Sequence, residues 1–316
     1  RGLGDVYTRQ ILSCLWLTAC TQDNDPLPQE VETATVHLNL LNASSDVDTR
    51  STTPQDPRTD NPMYSLWLLH YNSEGQLIDK KYQDLRDPHL TYTWSPTLQI
   101  KGGNETLYLV ANMNEDEAPA NWPERLANFK ETYATLKFDK KTGLVEQHKM
   151  YMFGYYEGEL SSGKSINIMM GRMAAALKFV ITPKNTSDRY KITDIELKQV
   201  SKGTYYFPGN LPTNDFTTIT EAFDNNNEVG NSTNSELIYY YQVGENINPV
   251  ENNRTTVVIT AIKGSREEYY YEWTYNSTPK TYTVPLGSDA PTLPTANRNF
   301  SLYRNNNYTF NINLKD

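Results

Sequence analysis

The chain has 316 residues and a formal net charge of -9, and its lysines and arginines form no basic patch. An acidic chain of this kind does not fit nucleic acid binding, so we expect no nucleic acid partner. The only cysteines are Cys14 and Cys20, which leaves the rest of the chain to be stabilised by an apolar core without disulfides or thiol chemistry.

The first twenty residues have the features of an export signal. Arg1 and Arg9 are basic, residues 11–17 form an apolar stretch, and the sequence Leu-Thr-Ala-Cys ends at Cys20. This order predicts a lipoprotein signal peptide over residues 1–19, after which Cys20 carries a lipid. The apolar stretch is shorter than the roughly 20 residues that a membrane-spanning helix needs. An ordinary secretory peptide with an incidental cysteine is the alternative.

A polar stretch follows the cysteine. Residues 20–33 are acidic and contain Pro26 and Pro28, a composition that predicts a flexible tether instead of a folded element. A lipid-anchored domain requires such a tether, so the stretch favours lipidation of Cys20 over an ordinary secretory peptide.

Alternation of apolar and polar residues predicts a strand at each end of the folded region. Near its start, Val36, Leu38 and Leu40 alternate with polar residues. Near its end, four apolar or aromatic residues share one face: Tyr308, Phe310, Ile312 and Leu314. Runs bounded by Gly, Pro, Asn and Asp predict further strands at 64–71, 77–82, 90–94, 106–112, 150–155, 165–170, 174–182, 190–200, 203–207, 236–243, 254–263, 268–275 and 280–286. Many short strands with little helix predict an all-β fold of antiparallel sandwiches.

The strand pattern divides into two domains near Gly171. We predict an N-terminal β-sandwich domain over 34–171 and a C-terminal one over 172–316. A single short helix is predicted over 123–136, where apolar residues recur at helical spacing after a proline. The polar, asparagine-rich stretch 210–234 is predicted to be a long loop.

Residues suited to catalysis or metal binding are sparse. The histidines are scattered and stand in no metal-binding spacing: His37, His70, His89 and His148. His37 and His70 occupy alternating strand positions, which predicts side chains that face solvent. The sequence also lacks a Gly-x-Ser-x-Gly elbow, a phosphate-binding loop and a dinucleotide fingerprint. We therefore predict a protein that is not an enzyme and that uses no metal and no cofactor.

Two further patterns have both a functional and a structural interpretation. Glu115, Asp116 and Glu117 fit calcium binding or glycoside hydrolysis, but consecutive acids in a loop are more often solvated. The aromatic runs 239–241 and 269–271 fit stacking on sugar rings, whereas strand alternation would direct about half of each run into the core. We favour the structural interpretation of both.

Several segments, taken in order, resemble the fimbrillin superfamily, the type V pilus subunits of Bacteroides-like bacteria. After LTAC these are ATVHLNLLN, YSLWLLHYNSEGQLI, ETLYLVANMN, YMFGYYEG, GRMAAALKFVIT, YYYQVGENI, YTVPLG and FSLYRNNNYTFNINL. Two landmarks are similar to recurrent features of the family: Arg172 before an alanine-rich strand, and Arg304-Asn305 before the final strand. The resemblance covers most of the chain and implies two β-sandwich domains of transthyretin-like topology with a short helix and long loops.

The resemblance also implies an assembly mechanism. Family members are exported as lipoproteins to the outer membrane, where an arginine-specific protease cuts the loop after the first strand and removes lipid and strand together. The loop 43–63 contains Arg50 and Arg58, and we expect cleavage at Arg50 because Arg58 follows Pro57. The groove left by the first strand then receives a strand from another pilus subunit.

The resemblance leaves the donor strand and the position in the fibre open. Residues 307–314 have the pattern of a donor strand, and the same pattern fits a strand that completes its own domain. We expect an outer-membrane precursor and then an extracellular pilus stalk or tip that contributes to adhesion to a host or bacterial surface ligand. The alternatives are an uncleaved anchor subunit, or a surface glycan-binding lipoprotein that uses tryptophan platforms: Trp67, Trp94, Trp122 or Trp273.

Overall fold

Most of the described residues of the first half belong to short strands. The computed structural model describes residues 32–42, 63–85, 93–135, 150–207, 215–223, 227–230, 234–266, 272–275, 277–287 and 299–315. The elements up to Arg172 are β1 (Thr33–Thr35), β2 (His37–Asn42), β3 (Ser65–Tyr71), β4 (Leu77–Asp84), β5 (Thr93–Trp94), β6 (Thr97–Gln99), β7 (Glu105–Ala111), helix α1 (Leu126–Lys130), β8 (Tyr133–Thr135), β9 (Met152–Gly158) and β10 (Ser165–Arg172).

The second half is built in the same way, from β-branched and aromatic runs that suit a pleated surface. Its strands are β11 (Ala174–Pro183), β12 (Tyr190–Ser201), β13 (Gly203–Tyr205), β14 (Phe216–Ala222), β15 (Glu228–Val229), β16 (Leu237–Gly244), β17 (Thr256–Lys263), β18 (Lys280–Pro285) and β19 (Asn307–Leu314). Single 3₁₀ turns lie at Glu115–Glu117 and Glu251–Asn253.

The strands form one large sheet in each half of the folded region. The first has seven strands in the order β4-β3-β7-β9-β10-β2-β5, and the second follows the order β18-β17-β12-β16-β11-β19, with β14 and β15 also paired to β12. Two small ladders, β1 with β6 and β8 with β13, complete the pairing. The predicted all-β fold with two sheet domains is confirmed, while the boundary near Gly171 stays a prediction.

One pair in each large sheet is parallel. β2 runs parallel to β10, with Leu38 opposite Ile166, and β19 runs parallel to β11, with Phe310 opposite Phe179. The other strand pairs of the described residues are antiparallel. Alternation within one strand fixes which side chains share a face but not the direction of the neighbouring strand, so the sequence pattern did not reveal these two pairs.

Both faces of the strands β3 and β7 are covered, and every residue in both strands is buried. Leu66 and Leu68 pack in one apolar cluster, together with residues of β2 and β10. Trp67 and Tyr71 pack on the opposite side in a second, mainly aromatic cluster that contains Phe129 from α1. A third cluster fills the C-terminal sheet domain. The nearly continuous apolar run in β3 therefore reflects burial on two sides.

The predicted helix over 123–136 is wrong in extent. Only Leu126–Lys130 is helical, with Phe129 fully buried as its anchor. The residues Tyr133–Thr135 form β8 instead and pair with Gly203–Tyr205. Tyrosine and threonine favour strands, and the pairing supplies main-chain hydrogen bonds that override the helical spacing.

The prediction of a long loop over 210–234 is also wrong in part. Phe216–Ala222 pairs with β12 as β14, and Glu228–Val229 adds β15 to the same strand. Ile219 and Val229 are buried in the C-terminal core. One or two apolar residues are enough for each of these strands to form, because the neighbouring strand β12 supplies an edge for main-chain pairing.

His70 does not face solvent, contrary to the sequence-based prediction. Its side chain is fully buried, and Nε2 lies 2.5 Å from the Glu105 carboxylate, which also accepts a hydrogen bond from the main chain of Lys101. The prediction from alternation was wrong because it assumed that one face of β3 is exposed to solvent. In the structure, both faces of β3 are covered. His37 is exposed, as predicted. His89 and His148 lie outside the described residues.

The helices of the described residues are all too short or too polar to cross a bilayer. Residues Thr33–Asp316 form one compact unit. The predicted signal peptide, Cys20 and nearly all of the tether lie outside the described residues.

The buried His70 predicts a pH-dependent stability. Burial lowers its pKa, although the hydrogen bond and charge of Glu105 raise it. The unfolded histidine, with a pKa of about 6.5, therefore takes up a proton first as the pH falls, and folding loses up to about 1.4 kcal/mol per pH unit. We expect the melting temperature to fall from about pH 7 to about pH 5, less steeply in His70→Gln.

The exposed His37 provides the control for that measurement. His37→Gln is the matched variant, because it removes an exposed histidine and leaves the buried pair of His70 and Glu105 intact. Equal slopes in the wild type and in His70→Gln, measured by differential scanning calorimetry, would show that His70 does not cause the pH dependence.

Candidate strand-exchange site

The segment 33–42, which contains β1 and β2, covers an apolar groove in the N-terminal sheet domain. Val36 and Leu38 have no exposed surface and Leu40 is only 5% exposed. They pack in one cluster with Ile166 and Ile168 of β10. The alternation predicted from the sequence therefore corresponds to a buried face, and all three predicted residues are part of the core.

The opposite face of the first strands is polar. The Thr35 and Thr97 hydroxyls lie 3.0 Å apart, His37 Nδ1 lies 2.9 Å from the Ser95 hydroxyl, and the Asn39 amide donates to Asn167 at 2.9 Å. Exposed hydrogen bonds of this kind contribute little to stability because water competes for them. The attachment of β2 thus depends on its apolar face and its main-chain ladder.

The main-chain ladder of β2 is unequal on its two edges. Six residues pair with β10 on one side, from His37 opposite Ser165 to Asn42 opposite Met170. On the other side, the pairs within the described residues are those of Leu38 and Asn39 with the two-residue strand β5. Loss of β2 would therefore open a groove beside β10. The cleavage candidates Arg50 and Arg58 lie outside the described residues, which resume at Met63.

The C-terminal strand, β19, lies at one end of its sheet. It pairs with β11 over eight positions and, among the described residues, has no strand on its other edge. Ile312 and Leu314 are buried in the C-terminal core, while Tyr308 and Phe310 are partly buried against it. The predicted donor-strand residues thus share one face, and here that face completes the strand's own domain.

Arg304 precedes β19 and is buried, with 7% of its surface exposed. Its guanidinium is paired with Glu245 and donates to the Thr204 hydroxyl at 2.6 Å and to the Tyr206 carbonyl at 3.4 Å. The cation also lies 5.1 Å from the ring centre of Phe153. These contacts tie the start of β19 to strands from both halves of the chain.

Arg172 contacts the same segment from the end of β10. Its main-chain N–H donates to the Asn305 side chain at 3.0 Å, and its guanidinium donates to the Asn307 side chain at 2.5 Å. Asn305 has a φ of +60°, a left-handed conformation that asparagine adopts more readily than most residues. The structure therefore brings together the two landmarks that the sequence singled out, Arg172 and Arg304-Asn305.

Two partners in this cluster were not found from the sequence. Glu245 lies in an otherwise uncharged run, YYYQVGENI. The position of a single acidic residue in that run is the only feature of the sequence that indicates a buried ion pair. Tyr108 lies close to the cluster, and burial raises its pKa well above the usual value although Arg304 acts to lower it. Its hydroxyl consequently stays protonated.

The other candidate residues form no chemical site. Glu115–Glu117 is a 3₁₀ turn capped by Asn114, and none of its residues is buried. In the described part of the chain, no three His, Cys, Asp or Glu side chains are placed to hold a metal ion. Tyr241 is buried and donates to Glu221 at 2.5 Å. The run 269–271 lies outside the described residues.

The tryptophans do not form a common stacking platform. Trp67 and Trp122 are buried, and their rings are tilted by 58° at a centroid distance of 5.7 Å. Trp94 is half-buried against the core under β2. Trp273, also half-buried, lies under the Arg189 guanidinium. Trp67 and Trp122 therefore offer no exposed face to a sugar ring.

Comparison with solved structures identifies the architecture. The tip fimbrial protein Mfa3 from Porphyromonas gingivalis superposes with a TM-score of 0.61 and 13% identity, covering 90% of this chain and 96% of that one. The chain has the fimbrillin fold. A fimbrilin from the same organism covers 90% of this chain and 91% of its own, with a TM-score of 0.57 and 14% identity.

A candidate cell adhesion protein from Parabacteroides distasonis shares the fimbrillin fold as well. It covers 89% of this chain and 91% of its own, with a TM-score of 0.61 and 14% identity. No protein-family model matches the chain, and no curated protein matches it. The fold is thus shared at identities where the sequences have diverged almost completely.

The Arg304 cluster predicts a large effect on stability. Arg304→Met leaves Glu245 buried without its cation, which should reduce the free energy of unfolding by about 3–5 kcal/mol in guanidinium titrations. Arg304→Met combined with Glu245→Met should recover most of that loss. Arg254→Met is the control, because its partner Glu251 is largely exposed and such pairs contribute at most about 1 kcal/mol. Equal losses in Arg304→Met and Arg254→Met would contradict the prediction.

Proposed function

We propose that the chain is a structural subunit, stalk or tip, of an extracellular pilus that contributes to cell adhesion. The fold neighbours support this proposal, since they include a tip fimbrial protein, a fimbrilin and a candidate cell adhesion protein. They are structural and adhesion proteins, which also supports a function without catalysis. The other pilus subunits are the expected partners.

The observation that carries the proposal is the burial of β2. Loss of the burial of Val36, Leu38 and Leu40 costs about 5–9 kcal/mol at roughly 1.5–3 kcal/mol per side chain. A whole domain is commonly stable by only about 5–15 kcal/mol. A subunit that has lost β2 would therefore gain most of its missing stability from a replacement strand.

β19 has the properties of such a replacement. It makes the same parallel type of ladder on β11 that β2 makes on β10, with apolar side chains on one face and no charged residue. In an assembled fibre, β19 of one subunit would occupy the groove of the next by donor-strand exchange. Its start would stay attached to its own subunit through Arg304.

The precursor pathway is part of the same proposal. Lipidation at Cys20 would hold the precursor at the outer membrane, and an arginine-specific protease would cut at Arg50 or Arg58 to release β2 with the lipid. The mature subunit would then belong to the surface pilus, where it would meet a host or bacterial ligand. An anchor subunit would retain Cys20 and β2 instead.

Cleavage can be tested on the protein expressed in its pilus. Mass spectrometry of the mature subunit should give an N-terminus at Ser51, and Arg50→Ala should leave the precursor uncleaved while Arg58→Ala has no effect. Cleavage after Arg58 would exchange the roles of the two variants. A lipidated Cys20 on every fibre-associated copy would refute removal of the first strand and favour an anchor.

The groove can be tested by strand replacement. A chain cleaved after residue 50 and freed of its N-terminal fragment should melt at a lower temperature than the intact chain, because the core beneath β2 is exposed. The added peptide TATVHLNLLN, residues 33–42, should restore the melting temperature. The same peptide with Leu38→Asp is the control and should fail, because it places a charge in the apolar core. Equal stability before and after loss of the fragment would contradict the proposal.

A further inference from the structure

The C-terminal sheet domain contains a groove where the two end strands of its sheet approach each other. β18 and β19 stand at opposite ends of the sheet order, yet residues of both line one groove of about 350 Å³. That volume lies within the range of small-molecule sites, about 300–1,000 Å³. The lining residues belong to the C-terminal sheet domain, so this groove is separate from the one beneath β2.

Side chains from β18 close one end of the groove. Lys280 Nζ and the Tyr282 hydroxyl each donate to the Lys315 carbonyl at 3.0 Å. Lys315 directly follows the last residue of β19, so these two hydrogen bonds connect the walls there. Beyond the other end of β18, Gly287 and Asn299 contribute to the lining. The groove therefore has two strand walls and one closed end.

Each wall contributes an aromatic side chain. Tyr282 of β18 and Phe310 of β19 are half-buried against the C-terminal core, and both line the groove. Val284 and Ile312 continue the same apolar surface. The face of an aromatic ring carries partial negative charge, which favours contact with polarised C–H groups such as those of a sugar ring.

Hydroxyl and amide groups lie beside this apolar surface. Thr283, Thr309 and Asn311 are exposed members of the lining, and within the described part of the chain their side chains make no hydrogen bond. The side-chain carbonyl of Asn313 accepts from the Thr182 hydroxyl at 2.8 Å. A hydroxyl and a primary amide can each both donate and accept. The three available side chains therefore match sugar hydroxyls, which also donate and accept.

The lining restricts the charge of a ligand. Its residues are all uncharged, in a chain of which 21% of the residues are charged. A charged group that entered the groove would lose hydration without gaining a partner. Pockets for small molecules combine apolar and aromatic walls with a few polar groups that orient the ligand. The complementary ligand is thus uncharged and presents both C–H faces and hydroxyl groups.

An extended peptide matches the groove less well than a sugar does. The Lys280 side chain crosses one end of the groove, and Pro285 has no main-chain N–H to offer at the other end of β18. Lysine and proline in such positions protect an edge strand against pairing with another chain. A sugar requires no continuous row of main-chain groups.

We propose that the groove between β18 and β19 binds a short neutral oligosaccharide, with Tyr282 and Phe310 against its C–H faces and Thr283, Thr309 and Asn311 on its hydroxyls. The inference rests on the proposed function for its setting, in which this sugar is the adhesion ligand. β19 is a wall of the site, so a subunit that has donated β19 lacks the groove. In a fibre built by that donation, the site belongs to the end subunit whose β19 has no acceptor.

The test uses the full chain, with sugar binding detected by saturation-transfer NMR and measured by isothermal titration calorimetry. The neutral probes are trimers of glucose, galactose, mannose and N-acetylglucosamine. The charged probes are trimers of glucosamine and galacturonic acid, which carry a charge on every ring. At least one neutral trimer should bind, and both charged trimers should bind at least about tenfold more weakly.

Two substitutions identify the groove as the site. Asn311→Ala removes an amide and Thr283→Val removes a hydroxyl, and each should weaken binding about five- to tenfold. Thr220→Val is the matched control, because Thr220 is an exposed residue of β14 and lies outside the lining. It should bind within about twofold of the wild type. The melting temperature of each variant shows whether its fold is intact.

Four outcomes would overturn the proposal. The first is that no neutral trimer binds at about 10 mM sugar, and the second is that charged and neutral trimers bind equally. The third is binding that both Asn311→Ala and Thr283→Val leave unchanged, which would place the sugar elsewhere. The fourth is binding of the peptide TATVHLNLLN, lost in Thr283→Pro, without binding of any trimer, which would assign the groove to a protein strand.

The sugar measurements are independent of the tests of strand exchange. They use the intact chain, which retains both the segment 33–42 and β19 in place. Failure to bind a sugar would therefore leave the cleavage and strand-replacement results unaffected. Conversely, an uncleaved subunit with a stable β2 would still have the groove between β18 and β19.

Discussion

The fold depends on the burial of one face of a strand from each end of the folded region. β2 and β19 each make the one parallel pair of their sheet, on the neighbouring strands β10 and β11. Parallel strands cannot be joined by a tight hairpin. Each of these strands therefore enters its sheet through a longer connection and is held by side-chain burial and mainly by its parallel ladder, so its removal breaks no hairpin of the remaining sheet.

The polar contacts around Arg304 and Arg172 have the opposite role. The apolar face of β19 is compatible with any groove of similar shape, whereas the guanidinium of Arg304 is matched to one carboxylate, one hydroxyl and one carbonyl. Breaking a buried ion pair reduces the free energy of unfolding, because the remaining charge is neither solvated nor paired. The segment before β19 is thus fixed by specific polar contacts, while the eight residues of β19 are held by apolar burial and one parallel ladder.

The sequence predicted those parts of the fold that depend on local periodicity. The alternation at Val36 and at Tyr308 marked both terminal strands and the faces they bury, and the scarcity of helical periods indicated an all-β chain. The same reasoning missed β14 and assigned the residues of β8 to a helix, because both strands depend on partners distant in the chain. It misjudged His70 because both faces of β3 are covered: His70 shares a face with Leu66 and Leu68, which pack against residues of β2 and β10.

The candidate site was predictable in its residues but not in its geometry. The two arginine landmarks were visible in the sequence, yet their contact at the start of β19 follows from the parallel pairing, which no local pattern encodes.

The same applies to the groove between β18 and β19. Its walls are ordinary alternating strands that stand at the two ends of the sheet order and line a common groove. An edge strand with an apolar inner face and no charge is normally protected against pairing by lysine or proline. β18 has both, Lys280 and Pro285, at its two ends, and between them the edge carries only threonine, tyrosine and valine. The β18 edge is therefore protected against pairing at both of its ends.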